Sequence, residues 1–321
     1  MDKRLTKDEL IGMIEGLLGD YDLWGPREEE GKVYSFRRLE NLRELAFDYR
    51  NSVVSPKSVF FPSGETVFRL AGGKPVEIKR SEKPPLLALI RPCDARALTL
   101  LYKVFGGEIA DPLYLSRRKN ALLLGLACDG PDENCFCGSV GGSPFSEAGL
   151  DILLVDRGED YLLRAISEKG QAIASGRGKS FAGDNVDLKK RKEAAERRFQ
   201  VQFQYSGAIS SAPEYWKEKS LACLDCGVCS FLCPTCHCFD LCDEGGGRKR
   251  IWDTCTFPLF TKMTSGENPR ELRRERLKNR VFHKFVYFKE IHGEIACVGC
   301  GRCLAHCPAG IRITDLAGTE K

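Results

Sequence analysis

No cysteine precedes Cys93 in this 321-residue chain, and no apolar stretch approaches the roughly 18 uninterrupted residues of a membrane span. Residues 1–20 carry charges throughout, which excludes a signal peptide or an N-terminal anchor and points to a cytoplasmic protein. No G-x-G-x-x-G follows an expected strand. Gly178-Lys179-Ser180 matches only the tail of a phosphate loop, because Ile173 stands where the leading glycine belongs. Ser175–Gly178 therefore reads as a polar turn. Histidine is scarce, at four residues, and two of them, His237 and His306, neighbour cysteines.

What the chain does have is 16 cysteines, 12 of them between Cys223 and Cys307. Reducing compartments keep thiols reduced, so this count argues for metal rather than for a disulfide scaffold. Cys223-x2-Cys226-x2-Cys229-x3-Cys233-Pro234 is one ferredoxin motif, and Cys297-x2-Cys300-x2-Cys303-x3-Cys307-Pro308 is a second. Three thiolates two residues apart wrap one face of a cubane. The cysteine before proline ordinarily ligates the other cluster. That assigns Cys223, Cys226, Cys229 and Cys307 to one [4Fe–4S] centre, and Cys297, Cys300, Cys303 and Cys233 to another. Zinc takes four ligands, and a third C-x2 step followed by Cys-Pro serves no tetrahedral site.

Cys93, Cys128, Cys135 and Cys137 form a further set of four. Cys93 and Cys128 each follow an apolar run, Leu86–Ile90 and Ala121–Ala127. If both runs are parallel strands, their thiols emerge at one edge of the sheet, where ligands collect in α/β folds. We read this set as a third [4Fe–4S] centre, with zinc or [2Fe–2S] as the alternatives. Cys236, Cys238, Cys242 and Cys255 remain, enough for a fourth centre or for packed thiols. The chain thus holds cysteines for at least three centres.

The formal charge of +4 treats every thiol as neutral. With about −2 for each centre and its four thiolates, three centres bring the loaded protein to about −2. Residues 243–290 carry 12 Lys/Arg against 7 Asp/Glu. Aromatic platforms at regular spacing are missing there, so no nucleic-acid partner is expected. The excess reads as part solvated helix face and part counter-charge to clusters.

Thr6-Lys-Asp-Glu9 is a capping box opening a helix with Leu10, Ile11, Ile14, Leu17 and Leu18 inward. Further helices are expected over 38–49, 94–104, 188–204 and 268–290. Strands are expected at Val59–Phe61, Val67–Leu70, Val76–Ile78, Leu86–Ile90 and Ala121–Ala127, with a hairpin from Ile152–Val155 and Tyr161–Ala165. Residues 168–187 read as a glycine-rich loop. The fold class is α+β: a mixed α/β domain over 1–205 with its own cysteine set, then a mostly α-helical two-cluster ferredoxin domain over 206–321. The long insertion between Cys233 and Cys297 excludes the compact bacterial ferredoxin.

The chain resembles a known family over most of its length. That family includes the beta subunits of cytosolic heterotetrameric nickel–iron hydrogenases (sulfhydrogenases), an iron–sulfur subunit of anaerobic sulfite reductase, and the iron–sulfur subunit of flavin oxidoreductases serving heterodisulfide reductase. The resemblance rests on Pro56-Lys57 with Phe60-Phe61-Pro62, Arg91-Pro-Cys-Asp94, Cys128 through Cys135-Phe-Cys137, Cys233-Pro-Thr-Cys-His-Cys-Phe-Asp240, Trp252-Asp-Thr-Cys255, Asn268-Pro-Arg270 and the second ferredoxin motif. Cys242 lies outside that pattern. The resemblance implies several [4Fe–4S] centres and no catalytic site of the chain's own. It also implies two partners: a flavin subunit that uses NAD(P), and a catalytic oxidoreductase subunit.

Overall fold

The computed structural model describes residues 2–318 apart from 77, 79–82, 176–177, 181–184, 200, 202 and 206. The fold is α+β. Its strands are β1 (Lys3–Leu5), β2 (Asp22–Glu28), β3 (Tyr34–Arg38), β4 (Glu65–Ala71), β5 (Lys74–Val76), β6 (Pro85–Ile90), β7 (Leu122–Leu126), β8 (Ile152–Asp156), β9 (Tyr161–Ala165), β10 (Lys179–Ser180), β11 (Phe239–Glu244) and β12 (Gly247–Trp252). Eight of them form a mixed sheet in the order β10-β1-β9-β8-β7-β6-β2-β3.

The centre of that sheet, β2, β6, β7 and β8, is parallel. Alternate residues of β6 to β8 divide between two cores. Leu86, Ala88, Leu122, Leu124, Ile152 and Leu154 meet the N-terminal helix Lys7–Glu15. Leu87, Ile90, Leu123, Leu153 and Val155 meet the helix Pro92–Phe105. Burial on both faces is why these strands read as unbroken apolar runs. The crossover from β6 to β7 runs through the expected helix at Pro92–Phe105, followed by a helix at Pro112–Lys119 that the sequence reading did not contain. The capping box is present: Thr6 accepts from the Glu9 amide, and Glu9 accepts from the Thr6 amide.

Several local expectations fail for identifiable reasons. Residues 38–49 are not a helix, beyond a single turn at Leu42–Glu44. Their backbone bonds the neighbouring strand instead: the Leu39 amide donates to Leu23 and the Ala46 amide to Pro26. Val59–Phe61 is not a strand, because Pro56 starts a helical turn at Lys57–Phe60. Residues 168–187 are not simply a loop. Ser167 caps a helix at Glu168–Ala174, and Gly170 is there for packing, since a Cβ would sit 2.0 Å from the Asp151 carbonyl oxygen. The charged helix spans Asn185–Glu196, short of Gln204; the ends of the Val76–Ile78 run are described, but Glu77, and Gly176 and Arg177 of the expected turn, lie outside the described residues.

The second half of the chain brings a hairpin absent from the sequence reading. β11 and β12 pair with β4 and β5 in a four-stranded sheet, so strands from both sides of residue 205 share one ladder. A third core does the same, packing Phe136 and Val140 against Phe203, Trp216, Val281 and Phe285. The helix expected from 268 begins at Arg273 and continues to His292 through a π turn at His283–Tyr287. Among the described residues no helix is long and apolar enough to cross a membrane.

Candidate iron–sulfur sites

The two ferredoxin motifs fold alike. In each, a glycine with positive φ, Gly227 or Gly301, starts a one-turn helix that carries the third cysteine, Cys229 or Cys303. Two residues earlier the backbone is again left-handed, at Asp225 (φ 51°) and Gly299 (φ 62°). The first can be an aspartate because its side chain has somewhere to go. Arg273 and Arg276 hold its carboxylate at 3.0 and 2.8 Å. At Gly299 a Cβ would lie 2.5 Å from the Cys137 amide nitrogen, so only glycine fits.

The thiols gather as two cavities. Cys223, Cys226, Cys229 and Cys307 line one, together with Arg280 and an edge of Cys303. Cys233, Cys297, Cys300 and Cys303 line the other, with Lys284 and Phe136. Each cavity therefore contains one complete set from the crossed ferredoxin pattern, and Cys303 touches both. Cys226 is exposed, so the first cavity reaches the surface; the second is buried.

The N-terminal set stands directly against the second motif. β6 and β7 are parallel, and Cys93 and Cys128 leave their carboxyl ends together. Arg91 ties those ends, donating to the carbonyls of Leu126 (3.3 Å), Ala127 (2.8 Å) and Arg50 (3.1 Å). The loop holding Cys135 and Cys137 then docks on residues 299–301. The Phe136 amide donates to the Gly299 carbonyl at 2.8 Å, and the Cys135 thiol lies 3.7 Å from the Cys300 carbonyl. Burial first, then the neighbouring charges, including Cys300, pushes up the thiols of Cys93 and Cys135. Burial and Cys128 push Cys137 up to about 12. Arg302, in the second motif, forks onto Asp94 beside Cys93 with bonds of 2.6 and 2.7 Å, and both side chains are buried.

The remaining cysteines do not all meet. Cys236 is within hydrogen-bonding reach of Cys233, and Cys238 of Cys255. Cys242 sits on β11 opposite Lys249, four residues along an extended strand from Cys238, roughly 13 Å at strand rise. Among the described residues no three His, Cys, Asp or Glu side chains converge on a point that could hold a single metal ion.

Buried cations divide into two kinds. Arg250 pairs with Glu65 and Asp111, Arg276 with Asp225, and Arg302 with Asp94. Arg91, Lys57, Arg280 and Lys284 are just as buried, and no carboxylate pairs with them among the described residues. Lys284 donates to the Cys233 sulfur (3.2 Å), Thr235 (3.0 Å) and the Ala296 carbonyl (3.1 Å). Arg280 reaches the Cys236 sulfur at 3.5 Å and the Cys229 carbonyl at 2.7 Å. Burial opposes the Lys284 ammonium, but the thiols of Cys233 and Cys236 outweigh it and raise its pKa. A buried charge without a partner is expensive. Two of the four, Arg280 and Lys284, reach cysteine sulfur directly, which fits anionic iron–sulfur groups. The sequence signal was present but ambiguous: Arg276, Arg280 and Lys284 recur every four residues on one helix face, which reads equally as a solvated stripe.

Cysteine-lined cavities with buried counter-cations, one pair of them built on a duplicated ferredoxin turn, define an iron–sulfur protein. Residues 222–311 match the family model of the 4Fe-4S dicluster domain, so the chain carries at least two [4Fe–4S] clusters. Over 305 residues it is 32% identical to the sulfhydrogenase 2 subunit beta of Pyrococcus furiosus, covering 90% of this chain and 89% of the relative. The chain belongs to this family of iron–sulfur beta subunits. No solved structure matches it.

Proposed function

We infer that the chain is the electron-transfer subunit of a cytoplasmic hydrogenase-type complex, relaying electrons between a flavin subunit that uses NAD(P) and a catalytic subunit. At least three [4Fe–4S] centres carry the current. Cys223, Cys226, Cys229 and Cys307 hold the first, Cys297, Cys300, Cys303 and Cys233 the second, and Cys93, Cys128, Cys135 and Cys137 the third. Bound there, each supplies one-electron chemistry at a potential set by burial and hydrogen bonds to sulfur.

The observation that carries this reading is contiguity. The N-terminal set abuts Cys300, Cys300 and Cys303 belong to the second set, and Cys303 also borders the first, which ends at exposed Cys226. A continuous line of thiol sets from one part of the molecule to its surface suits a relay. Exposed Leu221 (75%) and Leu224 (65%) lie next to Cys223 and Cys226, where a partner's own redox group would have to approach. The protein residues keep water out and supply positive charge.

Two measurements test the reading. The anaerobically reconstituted chain should bind about twelve iron atoms or more with matching sulfide. Isolation from the native host without oxygen should bring down two partners, one flavin-bearing and one a catalytic oxidoreductase. Iron of about eight or less, or isolation of the chain without either partner, would overturn it.

A further inference from the structure

Resting on the iron–sulfur reading above, the geometry assigns a fourth iron–sulfur site to Cys236, Cys238 and Cys255, closed by Lys57, Arg280 and Lys284 and excluding Cys242. Sequence alone offers four spare cysteines. The fold brings three of them to one place beside Cys233 and leaves the fourth on the far reach of a hairpin.

Three segments build the site. Cys236 and Cys238 follow the first ferredoxin motif. Cys255 arrives by way of β12, and the Asp253 amide fixes the join by donating to the Cys238 carbonyl at 3.1 Å. Lys57 comes from the other half of the chain. Its ammonium donates to the Cys236 carbonyl at 3.1 Å and stands 4.0 Å from the centre of the Trp252 ring. Only 2% of Lys57 is exposed, and no carboxylate pairs with it among the described residues.

The charges show what the site takes. Arg280 and Lys284 also serve the ferredoxin pair, through Cys229 and Cys233. Lys57 faces Cys236 and Cys238 as well as Cys233, which the ferredoxin pair uses. Three buried cations thus border this segment, Arg280 at the Cys236 sulfur, Lys284 at the Cys233 sulfur and Lys57 at the Cys236 carbonyl, and an anionic group would balance them. A single zinc ion needs its donors at about 2.3 Å from one point, and no such convergence exists among the described residues. A four-iron cubane held by thiolates is anionic and needs no convergence of its donors on one point. Cys233 is occupied by the second ferredoxin set, which it lines with Cys297, Cys300 and Cys303. Cysteine therefore supplies three corners, and the fourth iron is left to a non-cysteine ligand. Loading exchanges three S–H protons for three sulfur–iron bonds, without change of oxidation state in the protein.

The test uses the full chain, reconstituted anaerobically with iron and sulfide. Wild type should hold about sixteen irons. Cys238→Ser and Cys255→Ser should each hold about twelve, with the electron paramagnetic resonance of the reduced ferredoxin pair retained, and Cys242→Ser should keep all sixteen. Lys57→Met keeps every thiol and serves if a cysteine variant fails to fold. It should lower the midpoint potential of one centre and leave the others in place. Twelve irons in wild type with normal ferredoxin signals would overturn the fourth site and leave the relay standing. So would one zinc per chain bound by these cysteines, four irons lost from Cys242→Ser, or unchanged potentials in Lys57→Met. Absence of sulfide-bridged iron altogether would overturn the relay as well.

Discussion

Asp94→Asn isolates the contact that joins the two halves of the chain around the third cysteine set. The carboxylate is 2% exposed at its side chain and accepts both arms of the Arg302 fork, whose own side chain is 1% exposed. The amide has the same shape but no charge, so Arg302 is left buried and uncompensated. Breaking one side of such a pair costs about 3–5 kcal/mol, roughly two to four orders of magnitude in the folding equilibrium. Arg302→Met should cost more than Asp94→Asn. It also orphans the Ser52 carbonyl and hydroxyl, which Arg302 holds at 2.5 and 3.0 Å, adding about 1–3 kcal/mol for each unsatisfied group. The double variant removes both charges and should cost much less than the two single changes added together. Urea unfolding of the metal-free chain, followed by circular dichroism, gives all four corners of this cycle. The cluster-loaded chain adds a second comparison. Negative charge at Cys93, next to Asp94, partly substitutes for the lost carboxylate, so Asp94→Asn should destabilise the loaded protein less than the metal-free one. Additive single-variant costs, or an Asp94→Asn effect below about 0.5 kcal/mol, would refute the reasoning.

Iron removal should leave Arg91, Lys57, Arg280 and Lys284 buried without counter-charge, and the metal-free chain should melt broadly and early by calorimetry. Lys284→Met should speed iron release from the loaded chain; an unchanged release rate would sink the counter-charge argument. Gly299→Ala places a Cβ 2.5 Å from the Cys137 amide nitrogen, so about four irons should be lost as the Cys135–Cys137 loop is forced away; full iron content by chemical analysis would contradict this. Leu224→Glu puts charge on the apolar rim beside Cys226 and should weaken partner capture at least about tenfold, or 1.4 kcal/mol, in pull-downs, with iron content unchanged; undiminished capture would move the docking face elsewhere.

Where the chemistry is local, the chain could be read directly. The two ferredoxin motifs, the capping box at Thr6 and the buried runs of β6 and β7 follow from spacing and periodicity, which neighbours cannot easily override. The exit of Cys93 and Cys128 at one sheet edge follows from the parallel pairing those runs imply. The hairpin β11–β12 was not legible, because Phe239, Leu241 and Ile251 are partly exposed and the strands carry Arg and Lys; pairing with β4, distant in sequence, makes the sheet. Gly170 falls in a stretch that reads as a loop yet serves close packing. Arg280 and Lys284 fall in the basic excess that reads as part solvated face and part counter-charge, and the sequence does not say which residues turn to sulfur. Cys242 already stood outside the family pattern that includes Cys255, and the fold places it four residues along β11 from Cys238.

The docking of residues 134–137 on residues 299–301 has a consequence for how the protein is made. The Phe136 ring belongs to a core whose other members are almost all synthesised later, and the loop's backbone closes on Gly299. While the ribosome is still translating the second half, Cys93, Cys128, Cys135 and Cys137 have no lid. The iron–sulfur group proposed there would be sealed in only near the end of synthesis, so insertion would follow translation or be guarded during it. Oxygen met in that interval would strike the N-terminal thiols first, long before the finished chain buries them.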